Sequence, residues 1–516
     1  MNKNNEFLNE ILNLVKLVDD NHRNINAFNK LLGNIGKLYF EIDDKNELLE
    51  SLYEMCNDIP DMFVVLLEYI FQATSDGRVL QKQITVLLEN LSKGVFNVFY
   101  TNFYRWQIIS RLFLLNIKNS LYIERASLHS ELVKQTQKML GISYSLIPNE
   151  ELNTNRIVLI SEQLLSFKHG PSRNLLDYYY TLKYVLKKEV LLLVITEMPL
   201  HDKVKNLNYG ISYREFYYLD ALDGSFSIKY QDETVNGYQC ILNEDRLDEI
   251  KEIIRYVYNW KPYLVYNMGS ENIIADILGS FTNEVTIPFS YEYPVSEGHY
   301  LILARNIEDR DKHIVDYLYK RNQEIIESTF VYKLNDPIKK YNREEFDINE
   351  NSFVVAIVGN RLEYEINDKF IVDLKNVLER NNSVCIVFIG NFDNFDIIKD
   401  KIGFNERVKY IGYHEDLRGV LNIADVYLNP PRKGGGTSAV EAMAQGLPVI
   451  TLGECDVAYA AGENFIYETY HSLPEVISKY KDDYEFYKSR SEQAILQATK
   501  VVDTKNVIQN ILKVIE

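Results

Sequence analysis

Leu428-Asn-Pro-Pro-Arg-Lys-Gly-Gly-Gly-Thr-Ser-Ala-Val-Glu-Ala-Met-Ala-Gln-Gly-Leu-Pro-Val-Ile-Thr451 reads as the end of a strand, a glycine loop, a helix and the entry to the next strand. That order is one turn of an α/β sheet, and its loop suits an anion. Three successive glycines, Gly434, Gly435 and Gly436, let the backbone turn tightly and come close to a ligand. The helix is expected to start near Thr437, and the N–H groups of its first turn, Ser438 included, favour negative charge. Glu441 falls about one turn into that helix, on the side facing the loop, where its carboxylate can accept from sugar hydroxyls. A triple glycine alone is as readily a simple turn. The helix, the glutamate and the Gly446-Leu-Pro-Val strand entry at fixed offsets are what turn the run into a candidate site.

The run resembles the donor-site signature of GT-B glycosyltransferases, above all the retaining group typified by glycogen synthase and by bacterial lipopolysaccharide and capsule transferases. In that group a Gly-rich loop precedes Glu-Ala-Met-Ala-x-Gly-x-Pro-Val, and Glu441 to Val449 match it. The resemblance implies that Glu441 binds the nucleotide ribose and that the amides of Gly435 to Ser438 meet a diphosphate. One position departs from the pattern. Lys433 stands where the family carries its first glutamate, eight residues before the second, so it either neutralises a phosphate or replaces a contact to the transferred sugar.

Composition narrows the partners. A chain of 516 residues, 46% of them hydrophobic, is long enough for several cores, and a net charge of −18 without a basic arm excludes a nucleic-acid binder. The cysteines, Cys56, Cys240, Cys385 and Cys455, are too scattered for a disulfide framework or a metal cluster, and Cys385 sits in an apolar run expected in a core. Neither a signal peptide nor an apolar run of membrane-crossing length is read, so the expected compartment is the cytoplasm. The 38 tyrosines are read as compositional fill rather than as a carbohydrate-stacking surface.

Residues 1–150 show helical spacing, as in Leu8, Ile11, Leu12, Val15 and Leu17 and in the run from Met62 to Phe71. They carry no chemical motif and read as a helical elaboration or a docking surface, with contacts to a like or unlike chain as an expectation. From Arg156 the texture changes to short apolar strands alternating with helices, at Arg156–Ser161, Glu189–Thr196 and Pro262–Asn267. The loop leaving the first of these holds His169 and Gly170, with Ser172 as the expected N-cap of the next helix, and its resemblance to the glycine loop of the first GT-B domain implies that Gly170 contacts the donor. His169 can bond a sugar hydroxyl or carry a proton, and can equally do no more than brace a loop carbonyl.

A second α/β region has strands within Asn351–Gly359, Val384–Gly390, Val408–Gly412, Ala424–Asn429 and Pro448–Leu452. This order, too, resembles the GT-B donor domain, and the likeness implies that Arg361 after the first strand holds the donor phosphates. A guanidinium fork suits a diphosphate. The family's lysine five residues later is replaced by Ile366. Gly390, Asn391 and His414 fall at the positions implied for base recognition, although His414 reads equally well as a surface loop residue.

The expected architecture is therefore α/β of GT-B form, two Rossmann-like domains facing across a cleft with an extra mainly helical N-terminal region. The expected spans are 1–150 helical, 151–335 acceptor domain, 336–500 donor domain, and 501–516 a last helix, which in the family crosses back onto the first domain. The implied activity is transfer of a sugar from a nucleotide sugar, expected to be a UDP-sugar, to a glycan or protein in bacterial glycoconjugate synthesis or protein glycosylation. No cofactor is expected, and no Asp-x-Asp pair is found to hold a metal. The implied outcome is retention; if Lys433 marks another branch, inversion with His169 as base stays open. Two readings compete: a catalytically inactive relative serving as a scaffold or chaperone, and an epimerase of the same form, for which the acidic and histidine groups are too few.

Overall fold

A computed structural model describes residues 3–19, 25–56, 58–115, 119–167, 169–197 and 218–516. The chain divides into two compact units, Met1–Glu327 and Ser328–Glu516. The helical region and the first sheet thus belong to one unit.

Among the described residues, seven helices precede the first strand: Lys3–Asp19, Ile25–Glu41, Lys45–Met55, Pro60–Thr74, Gly77–Ser92, Val98–Leu115 and Tyr122–Leu140. The physical cause of their union with the sheet is a shared core. Phe63, Leu67, Ile70, Ile84 and Leu87 pack in the same apolar cluster as Val158, Ile160, Ile195, Ile274 and Phe281. Removing the helices would expose that whole face to water. Among the described residues no helix is long and apolar enough to cross a membrane.

The first sheet contains β1 (Asn153–Ser161), β2 (Glu189–Thr196), β3 (Gly224–Tyr230), β4 (Glu233–Ile241), β5 (Pro262–Met268), β6 (Asn283–Ile287), β7 (Tyr300–Leu303) and β8 (Glu324–Glu327). Its order is β3-β4-β2-β1-β5-β6-β7-β8. All neighbours run parallel except the hairpin β3–β4, which turns through Gln231 and Asp232 at φ 49° and 63°. Two positive φ values in succession match the right-handed twist of a tight hairpin.

The second unit holds β9 (Phe353–Gly359), β10 (Val384–Gly390), β11 (Val408–Tyr410), β12 (Val426–Leu428), β13 (Val449–Leu452) and β14 (Ile466–Tyr467). Every pairing in the order β11-β10-β9-β12-β13-β14 is parallel. Its strands are nearly continuous apolar runs because helices cover both faces of the sheet. Ile357, Phe388 and Leu428 pack in one layer, while Ala356, Val387 and Tyr427 pack in the other. All four cysteines are buried and unpaired.

Each sheet has one point where the chain changes direction of build. After β9 it adds β10 and β11 on one side, then returns to lay β12 on the other, so the switch lies between the carboxyl ends of β9 and β12. The corresponding point in the first sheet lies between β1 and β5. Crevices at such points are where open parallel sheets bind ligands.

Candidate functional site

At the β9/β12 switch the glycine loop runs from Asn429 into the helix Gly436–Ala444, one residue earlier than expected from the sequence. Gly435 is its N-cap at φ 100°, a left-handed conformation that glycine adopts without a Cβ penalty. A Cβ on Gly435 would meet the Arg432 guanidinium, and one on Gly436 would meet the Tyr332 hydroxyl, whereas Gly434 faces open space. The N–H of Ala439 bonds Gly435 O at 3.2 Å, so the N–H groups of Gly436, Thr437 and Ser438 come before the first intrahelical bond and form the positive end of the helix. Ser438 turns its hydroxyl inward, to Gly435 O and the Tyr427 hydroxyl at 2.9 Å each. Burial pushes the Tyr427 phenol up from its ordinary value, so it stays neutral beside that hydroxyl. Glu441 is buried on the same helix.

Arg361 ends the turn after β9 with its side chain half exposed, its guanidinium 4.0 Å from Glu365. Main-chain bonds tie this turn to the next strand end: Asn391 N donates to Gly359 O at 3.0 Å, and Leu362 N to Asn391 O at 3.4 Å. Gly390 sits at φ 120° with the Gly359 carbonyl where a Cβ would go. Arg361, Gly390, Asn391 and the glycine loop are thus brought to one edge of one sheet.

Other expected site residues are engaged elsewhere. The Lys433 ammonium donates to the carbonyl of Glu454 at 2.5 Å, and its own carbonyl accepts from Asp456 N at 2.7 Å. Both bonds brace the loop against the turn after β13. His414 bonds Ile411 O at 3.0 Å through Nε2, and its ring stands edge-on to Tyr341 and Phe346.

The sequence reading passed over Arg432, which lies beneath the glycine loop with a side chain only 7% exposed. Its Nε donates to Asn429 Oδ1 at 2.8 Å, Nη1 to Glu365 Oε2 at 3.0 Å and Nη2 to the Tyr427 hydroxyl at 2.6 Å. The charge i,i+4 from Arg361 and the basic pair before the glycines were the available signals; the burial was not.

In the first unit, His169 rather than Ser172 takes the N-cap position of the helix Gly170–Tyr180, a correction to the expected cap. Pro171 in the first turn fixes the start there. Ser172 lies inside the helix, and its hydroxyl accepts from Leu165 N at 2.9 Å and meets His169 Nδ1 at 2.9 Å. Burial, then the charge of Arg173, lowers the His169 pKa and favours the neutral ring. Lys168, in the same loop, lies outside the described residues.

The β1/β5 switch is packed with charge from the N-terminal helices. Arg125 reaches Glu271 Oε1 at 2.9 Å, and Arg105 donates to Glu271 O at 2.5 Å while standing 3.8 Å from Glu197. Glu162, just after β1, is buried in the field of the same groups; desolvation, then the Glu197 charge, raises its pKa well above the ordinary value. Desolvation also lifts Glu197 to about 7.

Residues 338–497 match the family model described as glycosyl transferases group 1. A mutant of the Thermobaculum terrenum O-GlcNAc transferase aligns over 100% of this chain and 97% of its own, at 12% identity and a TM-score of 0.51. A glycosyltransferase from Rickettsia africae aligns over 70% of this chain and 98% of its own at 11% identity, with a TM-score of 0.47. Anabaena HepE, solved in complex with UDP, aligns over 70% and 99% at 12% identity, with a TM-score of 0.45. The match to the group 1 model thus falls on residues 338–497 of a chain whose fold is GT-B.

Proposed function

We propose that this chain is a glycosyltransferase that takes a sugar from a nucleotide-sugar donor, with UDP-sugars the first to test, and transfers it to a glycan or protein acceptor. The observation that carries the reading is the convergence of Arg361 and the N-terminus of Gly436–Ala444 on the β9/β12 switch, within a group 1 domain. Breaking the anomeric bond sends its electron pair to the departing diphosphate. The Arg361 guanidinium and the N–H groups of Gly436 to Ser438 stabilise that charge without a metal. The acceptor oxygen bonds the anomeric carbon, and its proton ends on the released phosphate or a nearby base. Glu441 holds the ribose. The match of Glu441 to Val449 with the retaining group supports retention, which the anomeric configuration of the product tests by NMR.

The experiment is thermal unfolding against UDP-, GDP-, ADP- and dTDP-sugars, since a ligand at 100 times its dissociation constant adds about 2.7 kcal/mol. A selective shift names the nucleotide; a folded chain that responds to none defeats the donor reading. A second reading, a non-catalytic scaffold, draws on Lys433 in place of a glutamate and on its ammonium being bonded to Glu454 O. Binding without release of nucleotide in the presence of acceptors would favour it.

A further inference from the structure

Two arginines face one carboxylate beside the glycine loop, and they hold it unequally. Glu365 Oε2 accepts from Arg432 Nη1 at 3.0 Å, and both side chains are nearly buried, at 7% and 10% exposure. Glu365 Oε1 is 4.0 Å from Arg361, whose side chain is 50% exposed. Arg432 is also bonded to Asn429 and Tyr427, with Gly435 directly over its guanidinium. Among the described residues, Arg361 has no comparable set of bonds.

We propose that Arg432 is a positioning residue: by occupying Glu365 it leaves Arg361 available to the diphosphate of a bound nucleotide. This inference rests on the reading of the β9/β12 crevice as a donor site. Without the Arg432 charge, Glu365 would be a nearly buried carboxylate lacking its close partner, a costly state relieved by the nearest cation. Arg361 lies one helical turn away and would be drawn onto it. The crevice would then lose one positive charge and have its exposed guanidinium tied up internally. The family's lysine five residues after the arginine is replaced here by the buried Ile366, which leaves Arg361 as the exposed cation of this turn.

The idea separates electrostatic positioning from simple bracing of the loop. Calorimetry would compare the wild-type chain, Arg432→Gln, Glu365→Gln and the double variant. The probes are whichever of UDP, GDP, ADP or dTDP the wild type binds best, and the matching nucleoside. Arg432→Gln should weaken the diphosphate about tenfold or more while changing the nucleoside by less than about threefold. Glu365→Gln in the Arg432→Gln background should restore the diphosphate to within about threefold of wild type, because no carboxylate remains to capture Arg361.

A loop brace predicts otherwise: both ligands weakened alike, and no rescue, since the double variant still lacks the bonds of Arg432. Either result overturns the inference, as does an unchanged diphosphate affinity in Arg432→Gln. If Arg432→Gln does not fold, the double variant, which removes both charges of the pair, decides alone: folded by circular dichroism and binding near wild type supports the inference, and folded without binding overturns it. If the double variant does not fold either, Arg432→Lys, which keeps the charge, decides: near-wild-type diphosphate binding supports the inference and a tenfold loss overturns it. A wild type that binds none of the four diphosphates fails at the earlier step, overturning the donor reading and this inference together.

Discussion

The Glu197 carboxylate, one residue beyond β2, accepts the main-chain N–H of Ile273 at 2.9 Å, joining two strand ends of the first sheet at the start of the helix Ile273–Gly279. A second bond, from Ile274 N, is 2.7 Å long. Burial lifts this carboxyl from the ordinary 4.5 to about 7, so between those values the folded chain holds a proton that the unfolded chain has released. Stability of the first unit should therefore fall as pH rises from about 5 to 8, by on the order of 1–3 kcal/mol. Trp106 and Trp260 are the only tryptophans and both lie in that unit, so their fluorescence follows its denaturation alone. Glu197→Gln should reduce the dependence, leaving the part carried by Glu162, whose carboxyl burial also raises; a profile that the substitution leaves unchanged would refute the assignment.

Arg105→Met should destabilise the same unit by about 3–5 kcal/mol, because it leaves Glu197 and Glu271 short of a buried counter-charge. Urea denaturation followed by the same tryptophans measures it. A loss below about 1 kcal/mol would mean that the cluster is balanced without this guanidinium.

The three loop glycines should separate. Gly435→Ala requires a positive φ and a shift of Arg432, so a loss of about 1–3 kcal/mol from the second unit is expected by far-UV circular dichroism. Gly434→Ala meets open space and should leave stability within about 0.5 kcal/mol. Because that space is where the donor reading places a ligand, nucleotide affinity should fall in this stable variant.

Arg361→Ala should weaken a nucleoside diphosphate more than its nucleoside, by about 1.5–3 kcal/mol. Lys433→Ala should weaken the diphosphate less than Arg361→Ala does, since the ammonium is bonded to Glu454 O and braces the loop. Calorimetry with both ligands on both variants checks the order, and equal losses for nucleoside and diphosphate would remove Arg361 from the phosphate.

Glu441→Ala should cost about 1.5–3 kcal/mol of nucleotide binding, the scale of a charged hydrogen bond. Comparing a ribonucleotide with its deoxy analogue localises the effect: the variant should lose the wild type's preference for the ribose hydroxyls. An unchanged preference would exclude the ribose contact.

The strands of the second sheet were legible because parallel strands covered on both faces must be apolar along their length, as Val384–Gly390 is. The hairpin β3–β4 was not. It lies at a sheet edge with exposed residues in alternation, and it turns through Gln231-Asp232, without the glycine that usually signals such a turn. The glycine loop was legible because its chemistry is local. Arg432 was missed because its partner Glu365 is 67 residues away, so the sequence shows only a charge beside Lys433. Arg105 and Arg125 were hidden likewise: in the sequence of a helix a buried arginine reads as a surface one until its carboxylate is located.

The four buried cysteines fall two to a unit, Cys56 and Cys240 in the first, Cys385 and Cys455 in the second. Burial pushes the thiols of Cys56, Cys240 and Cys385 up, the latter two to about 12 and 11, so little thiolate is present at neutral pH. A thiol reagent can label the chain only when a unit opens, which makes its own cysteines a clock for unfolding. Replacing one pair at a time would let that clock time each half of the protein separately, and would show which half a bound nucleotide holds shut.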